Sequence, residues 1–153
     1  MYPQDLHIHT TYSVNDTAVV PEQTVALISQ VKHAEVTGIS DHFENFTSAT
    51  FDHYCRDIRA AGFKLGVEVD GHHWVKEAHK YPVDYFIFHC YDRDAEYKAV
   101  EQLLSAEVPV IIAHPNALGT DLNRLPPECI VEINNRYVWR NDWRRYYLSL
   151  IHI

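Results

Sequence analysis

The residues of this sequence most able to do chemistry are its eleven histidines. Imidazole is the commonest protein ligand for transition metals, so their placement decides what they are for. His7 and His9 flank Ile8. Side chains two apart on a strand share a face, so both rings can address one point. Asp41 and His42 close the segment GISDH, Glu68 lies in GVEVD, His89 in FHC and His114 in IAHP. Each sits at the end of a short apolar run. One histidine after a strand is ordinarily a surface or hydrogen-bonded residue. Five consecutive runs each ending in His or Glu are hard to assign to packing and point to a shared metal cluster. Asp16, in NDT, reads by itself as a cap or turn residue. His33, His53, His79 and His152 have no such placement and read as surface or helix-face residues. His72 and His73 follow Gly71 and either line the mouth of a site or belong to a loop. Cys90 reads as a small buried residue rather than a reactive thiol.

These residues need strands to hold them, and the hydrophobic pattern supplies them. Short apolar strands are expected around Leu6 and Ile8, over Val36–Ser40, Lys64–Val69, Tyr85–Phe88, Val108–Ala113 and Ile130–Ile133. Between them, helical spacing covers Glu22 to about His33 behind Pro21, Phe51–Ala61 with Gly62 as its stop, and Ala95–Ala106, with a last helix beginning near Tyr137 or later. Alternating strands and helices imply parallel pairing, and the apolar strands imply burial on both faces. Sites in such folds form at the carboxyl ends of strands, where the candidate ligands fall. An open doubly wound sheet and a barrel both satisfy this pattern.

Composition sets outer bounds. The chain has 153 residues, 46% hydrophobic and 22% charged, enough for one globular domain. No secretory signal and no apolar run of membrane-spanning length stand out. Cys55, Cys90 and Cys129 are odd in number and lack CxxC spacing, which fits a reducing cytoplasm. The net charge of −8 argues against a protein that tracks a nucleic-acid backbone by charge, but not against a phosphate substrate, because bound cations supply positive charge locally.

The segments DLHIHTTYS, GISDH, GVEVD, FHC, IAHP and EINN, in that order, resemble the polymerase and histidinol phosphatase (PHP) superfamily of metal-dependent phosphoesterases, most closely its compact stand-alone bacterial branch. The resemblance runs from Asp5 to about Asn135. It implies an α/β fold, a distorted seven-stranded TIM-like (β/α) barrel, holding two or three divalent ions, zinc, manganese or iron. By motif it implies His7 and His9 on a first metal, Glu68 bridging to a second, His89 and His114 completing the second, and His42 with Asp16 on a third. His7, His9, Glu68 and His114 then act in catalysis through bound metals, and Asp41 orients an imidazole from behind the ligands. Arg136 and Arg140 are candidate phosphate contacts.

One family motif is absent: an Asp-x-His after the seventh strand. The expectation is therefore an incomplete PHP domain over residues 1–147, carboxy-terminally truncated. The last six residues, LSLIHI, are what a transposon-end sequencing adapter would encode, so 148–153 are expected to be a non-native tail.

The resemblance implies hydrolysis of a small phosphate monoester, histidinol-phosphate-like or nucleotide-like, by metal-activated water without a covalent intermediate. The alternatives are a nuclease trimming nucleic-acid ends, against which the acidic charge counts, and a non-catalytic metal-binding or regulatory module. No membrane partner is expected.

Overall fold

The computed structural model describes residues 4–134, 136–137 and 143–148. Six strands form one parallel sheet in chain order: β1 (Gln4–Asp5), β2 (Val36–Ile39), β3 (Lys64–Asp70), β4 (Tyr85–His89), β5 (Val110–Ile112) and β6 (Ile130–Val131). The helices are α1 (Val25–Ile28), α2 (Ser48–Ala60), α3 (Val75–Ala78), α4 (Asp94–Leu104), α5 (Pro115–Leu118) and α6 (Trp143–Leu148). This is an α/β fold, but it corrects the expected seven-stranded barrel. The sheet is a half-barrel whose edge strands β1 and β6 contribute two residues each and pair only inward. A barrel closes only when its first and last strands pair, and among the described residues they do not. Nor does a full helix cover every crossover: among the described residues only α2 and α4 exceed two turns.

The two long helices form for local reasons. Thr47 caps α2: its hydroxyl accepts from Thr50 N, and the Thr50 side chain reaches back to Thr47 N. Phe51, Tyr54 and Ile58 fall on one buried face. In α4, Asp94 and Glu96 sit in the first turn, and Tyr97, Val100 and Leu103 are buried. The expected helix over Glu22–His33 shrinks to Val25–Ile28. Ser29 Oγ and Gln30 Nε2 both donate to Ala26 O, the carbonyl the next helical turn would need.

Alternation along β3 and β4 makes the site. Leu65, Val67, Val69, Phe86 and Phe88 pack on the core that also holds Phe51, Tyr54, Ile58, Val100 and Leu103. Gly66, Glu68, Tyr85, Ile87 and His89 alternate with them and so face the concave side. There Tyr85, Ile87, Ile111 and Ala113 form a second, smaller cluster with Leu6. A Cβ on Gly66 would collide with the Tyr85 ring, so that position must be glycine for the ring to lie flat on the sheet.

Tyr54 ties this packing to the site. Its hydroxyl is fully buried, 2.7 Å from Gly66 O and 3.0 Å from Ile39 O, and accepts from Asp41 N. Tyr54→Phe removes the acceptor of Asp41 N and the donor shared by the two carbonyls, and a loss of about 1–3 kcal/mol is expected in chemical denaturation. A change below a few tenths would show that the hydroxyl is dispensable.

Candidate metal centre

Glu68 is the hub. Its side chain is 2% exposed and lies on β3, where strand register turns it to the concave face. Oε1 is 2.9 Å from His7 Nε2, 2.7 Å from His89 Nε2 and 4.0 Å from His114 Nε2. Oε2 is 3.2 Å from His9 Nε2 and 3.2 Å from His42 Nδ1. Five imidazoles from four segments therefore converge on one carboxylate. The approaches are short, yet Oε1 and His42 Nδ1 have no aligned hydrogen-bond partner. His89 Nε2 and His114 Nε2 face each other at 3.2 Å. Ring nitrogens crowded in this way need a cation, or failing that a proton, between them.

Among the described residues, three sets of ligand atoms lie close enough to hold an ion, each within 4.8 Å of one another: His7, His9 and Glu68; His9, Asp16 and His42; Glu68, His89 and His114. Every ligand proposed from the sequence is in one of them. The mixed imidazole and carboxylate donors suit zinc, manganese or iron.

The outer nitrogens are held as ligating histidines require. His7 Nδ1 donates to Glu132 Oε1 at 2.8 Å and His89 Nδ1 to Asp70 Oδ1 at 3.1 Å, leaving each Nε2 turned inward. His9 Nδ1 is 3.3 Å from Ser13 Oγ. His42 differs, since its Nδ1 faces Glu68 and, at 3.2 Å, Glu44. Asp16 Oδ2 is 3.9 Å from His42 Nε2, while its Oδ1 accepts from Ala18 N, so it both closes a turn and faces the cluster.

Asp41, expected to orient an imidazole, is fully buried and reaches the rings indirectly, through Ser13 Oγ, which lies 3.3 Å from His9 Nδ1. It accepts from Thr10 N at 2.6 Å, Thr10 Oγ1 at 2.8 Å and Ser13 Oγ at 2.7 Å. It pins the loop after His9 and reaches the histidines only through Ser13, whose hydroxyl also accepts from His42 N.

Charge in the site follows from these contacts. Burial raises Glu68, but contacts with His7, His89 and His9 outweigh it and hold its carboxyl well below the usual range. Burial lowers His7, yet Glu132 and Glu68 raise it to about 10. In the same balance Asp70 and Glu68 carry His89 up to about 9, and Glu44 and Glu68 raise His42. His114 goes the other way, to about 4, through burial and the neighbouring His89 charge.

Sequence reasoning missed three participants: Glu132, Asp70 and Glu44. Glu132 follows β6 in the motif EINN, so the same strand-end rule that found Glu68 pointed to it. Asp70 lies two residues beyond Glu68 on the same face of β3. Glu44, in the short 3-10 helix Phe43–Asn45, had no signal. Arg136 lines the same cavity of about 470 Å³ as the seven ligands, together with Asn134 and Tyr137. Arg140 and the proposed tail residues 149–153, His152 among them, lie outside the described residues.

The remaining histidines sit elsewhere, as expected of surface groups: His33 beside Asp5, His53 beside Arg56 and His79 beside Ser105. His72 lies off the cluster, paired with Glu96. Cys90 is fully buried, and burial pushes its thiol up to about 12, which fits an inert core residue. Among the described residues no helix is long and apolar enough to cross a membrane. No family model, curated protein or solved structure matches the chain.

Proposed function

We propose that this protein is a metal-dependent phosphoesterase that hydrolyses a phosphate monoester with an activated water. The carrying observation is the convergence of five imidazoles on the buried carboxylate of Glu68, within 4.0 Å. The resemblance of the motifs to the PHP superfamily supports the same reading.

His7, His9 and Glu68 would hold one divalent ion, Glu68, His89 and His114 a second, and His9, Asp16 and His42 a third. Bound cations of this kind neutralise phosphoryl oxygens and lower the pKa of water, worth several kcal/mol of transition-state stabilisation. The chain's own contribution is placement. Glu68 lets neighbouring ion sites share one carboxylate, and Asp70 and Ser13 hold imidazoles with one nitrogen free. The net excess of imidazole over carboxylate favours an anionic substrate, and Arg136 adds a guanidinium at the cavity wall. Among the described residues neither Ser nor Cys lines that cavity, which supports attack on phosphorus by water, with a small phosphorylated molecule as the substrate class.

The test is purification with manganese or zinc, metal analysis and turnover of an aryl phosphate. Stoichiometric metal with metal-dependent release of phosphate is expected. Full metal loading without turnover would move the reading to a binding or regulatory module. Preference for oligonucleotide ends with strong salt dependence would move it to a nuclease, which the net charge of −8 disfavours.

A further inference from the structure

We propose that Glu132 is a positioning residue that clamps the His7 ring and the His114 backbone together, setting two metal groups with one carboxylate. The inference rests on the metal reading above but concerns a residue that the reading does not use.

The geometry is specific. Glu132 follows β6, where its own N–H donates to Ile112 O and continues the parallel ladder. That fixes its backbone beside β5. Its carboxylate then reaches in two directions. Oε1 accepts from His7 Nδ1 at 2.8 Å, across 125 residues of sequence. Oε2 accepts from the backbone N–H of His114 at 2.6 Å. Its side chain is 14% exposed, so these contacts are shielded from water.

Both partners need such a hold. With Nδ1 committed to Glu132, His7 has only Nε2 to offer Glu68 and an ion. His114 sits at φ 25°, ψ 56°, in the left-handed region that a residue with a Cβ avoids. A carboxylate on its N–H supports that conformation, which aims the ring at His89 and Glu68. The His7 and His114 rings lie nearly parallel, 18° between planes and 5.8 Å between centroids, so the carboxylate holds two residues whose rings neighbour each other. His7 belongs to one metal group and His114 to another, with Glu68 common to both. Glu132 thus touches ligands of both without being in either.

The experiment compares wild type with Glu132→Ala and Glu132→Gln by zinc titration, circular dichroism and histidine-detected ¹H–¹⁵N NMR. The His7 Nδ1–H should resonate far downfield and exchange slowly in wild type. In Glu132→Ala that signal should vanish, and zinc affinity should fall by about 10–100-fold with secondary structure retained. Glu132→Gln keeps the volume and one acceptor oxygen, so it should fall in between, and it decides the matter should the alanine variant fail to fold. Unchanged zinc affinity with the His7 signal intact in a folded variant would overturn the proposal. Failure of wild type to bind zinc would sink the metal reading alone. The clamp would then be judged on the His7 signal in metal-free protein, supported by its loss in the variants and overturned by its persistence there or its absence from wild type.

Discussion

Glu68→Gln should strip the cluster of metal and abolish phosphatase turnover. The substitution keeps the shape and removes one charge. That charge is the counterion for His7 and His89, both raised above the ordinary imidazole range beside it. It also belongs to two of the three ligand groups and contacts a ring of the third. Removing one partner from a buried ionic set costs about 3–5 kcal/mol, or roughly two to four powers of ten in an equilibrium constant. Metal affinity should fall by that much, measured by calorimetry and by metal content after dialysis. Turnover of an aryl phosphate should fall below detection. Wild-type metal content and rate in Glu68→Gln would end the assignment of Glu68 as the shared ligand.

The second large effect is a pH dependence with opposite signs in the metal-free and metal-loaded protein. Without metal, His7 titrates at about 10 and His89 at about 9, so both are protonated at neutral pH. A cation must expel those protons, and each one displaced contributes about tenfold in affinity per pH unit. With two displaced, zinc or manganese affinity should rise on the order of ten-thousandfold between about pH 6 and 8. His114, lowered to about 4, is already neutral there and adds nothing to the slope.

Folding stability follows the same groups. His7 and His89 lie above the unfolded value of 6.5, so their stabilisation of the metal-free fold is complete below that pH and is lost as pH rises through about 9 and 10. Glu68 is depressed, so its contribution is present above the unfolded carboxylate value of 4.5 and is lost as pH falls through its lower folded value. The metal-free protein should therefore weaken from pH 7 to 10 in thermal melts, while the metal-loaded protein gains from pH 6 to 8. At about 100 times the dissociation constant, metal should add about 2.7 kcal/mol, a rise of several degrees in Tm. Parallel pH profiles with and without metal would show that the imidazoles do not exchange protons for a cation.

The sequence by itself pointed to the candidate ligands and to most of the strands, although the strand expected around Leu6 and Ile8 forms instead over Gln4–Asp5, just ahead of His7 and His9. Glu68 and His89 could be read because period-two alternation turns them to the face opposite Val67 and Phe88, and because parallel strands bring their carboxyl ends to one side. Helices α2 and α4 were equally legible, since their buried stripes recur at local helical spacing. Tertiary structure alone decided the rest. Among the described residues the sheet is a half-barrel, and closure depends on pairing between strands far apart in the chain, which no local pattern encodes. Asp41 binds Thr10 and Ser13 rather than an imidazole, although it is next to His42 in sequence. Glu132 meets His7 across 125 residues because β5 sets the register of β6 and the curvature of the sheet brings β1 within reach. Residue type and spacing select what can coordinate. Only the folded register settles which oxygen meets which nitrogen, because a hydrogen bond is won or lost over less than an ångström.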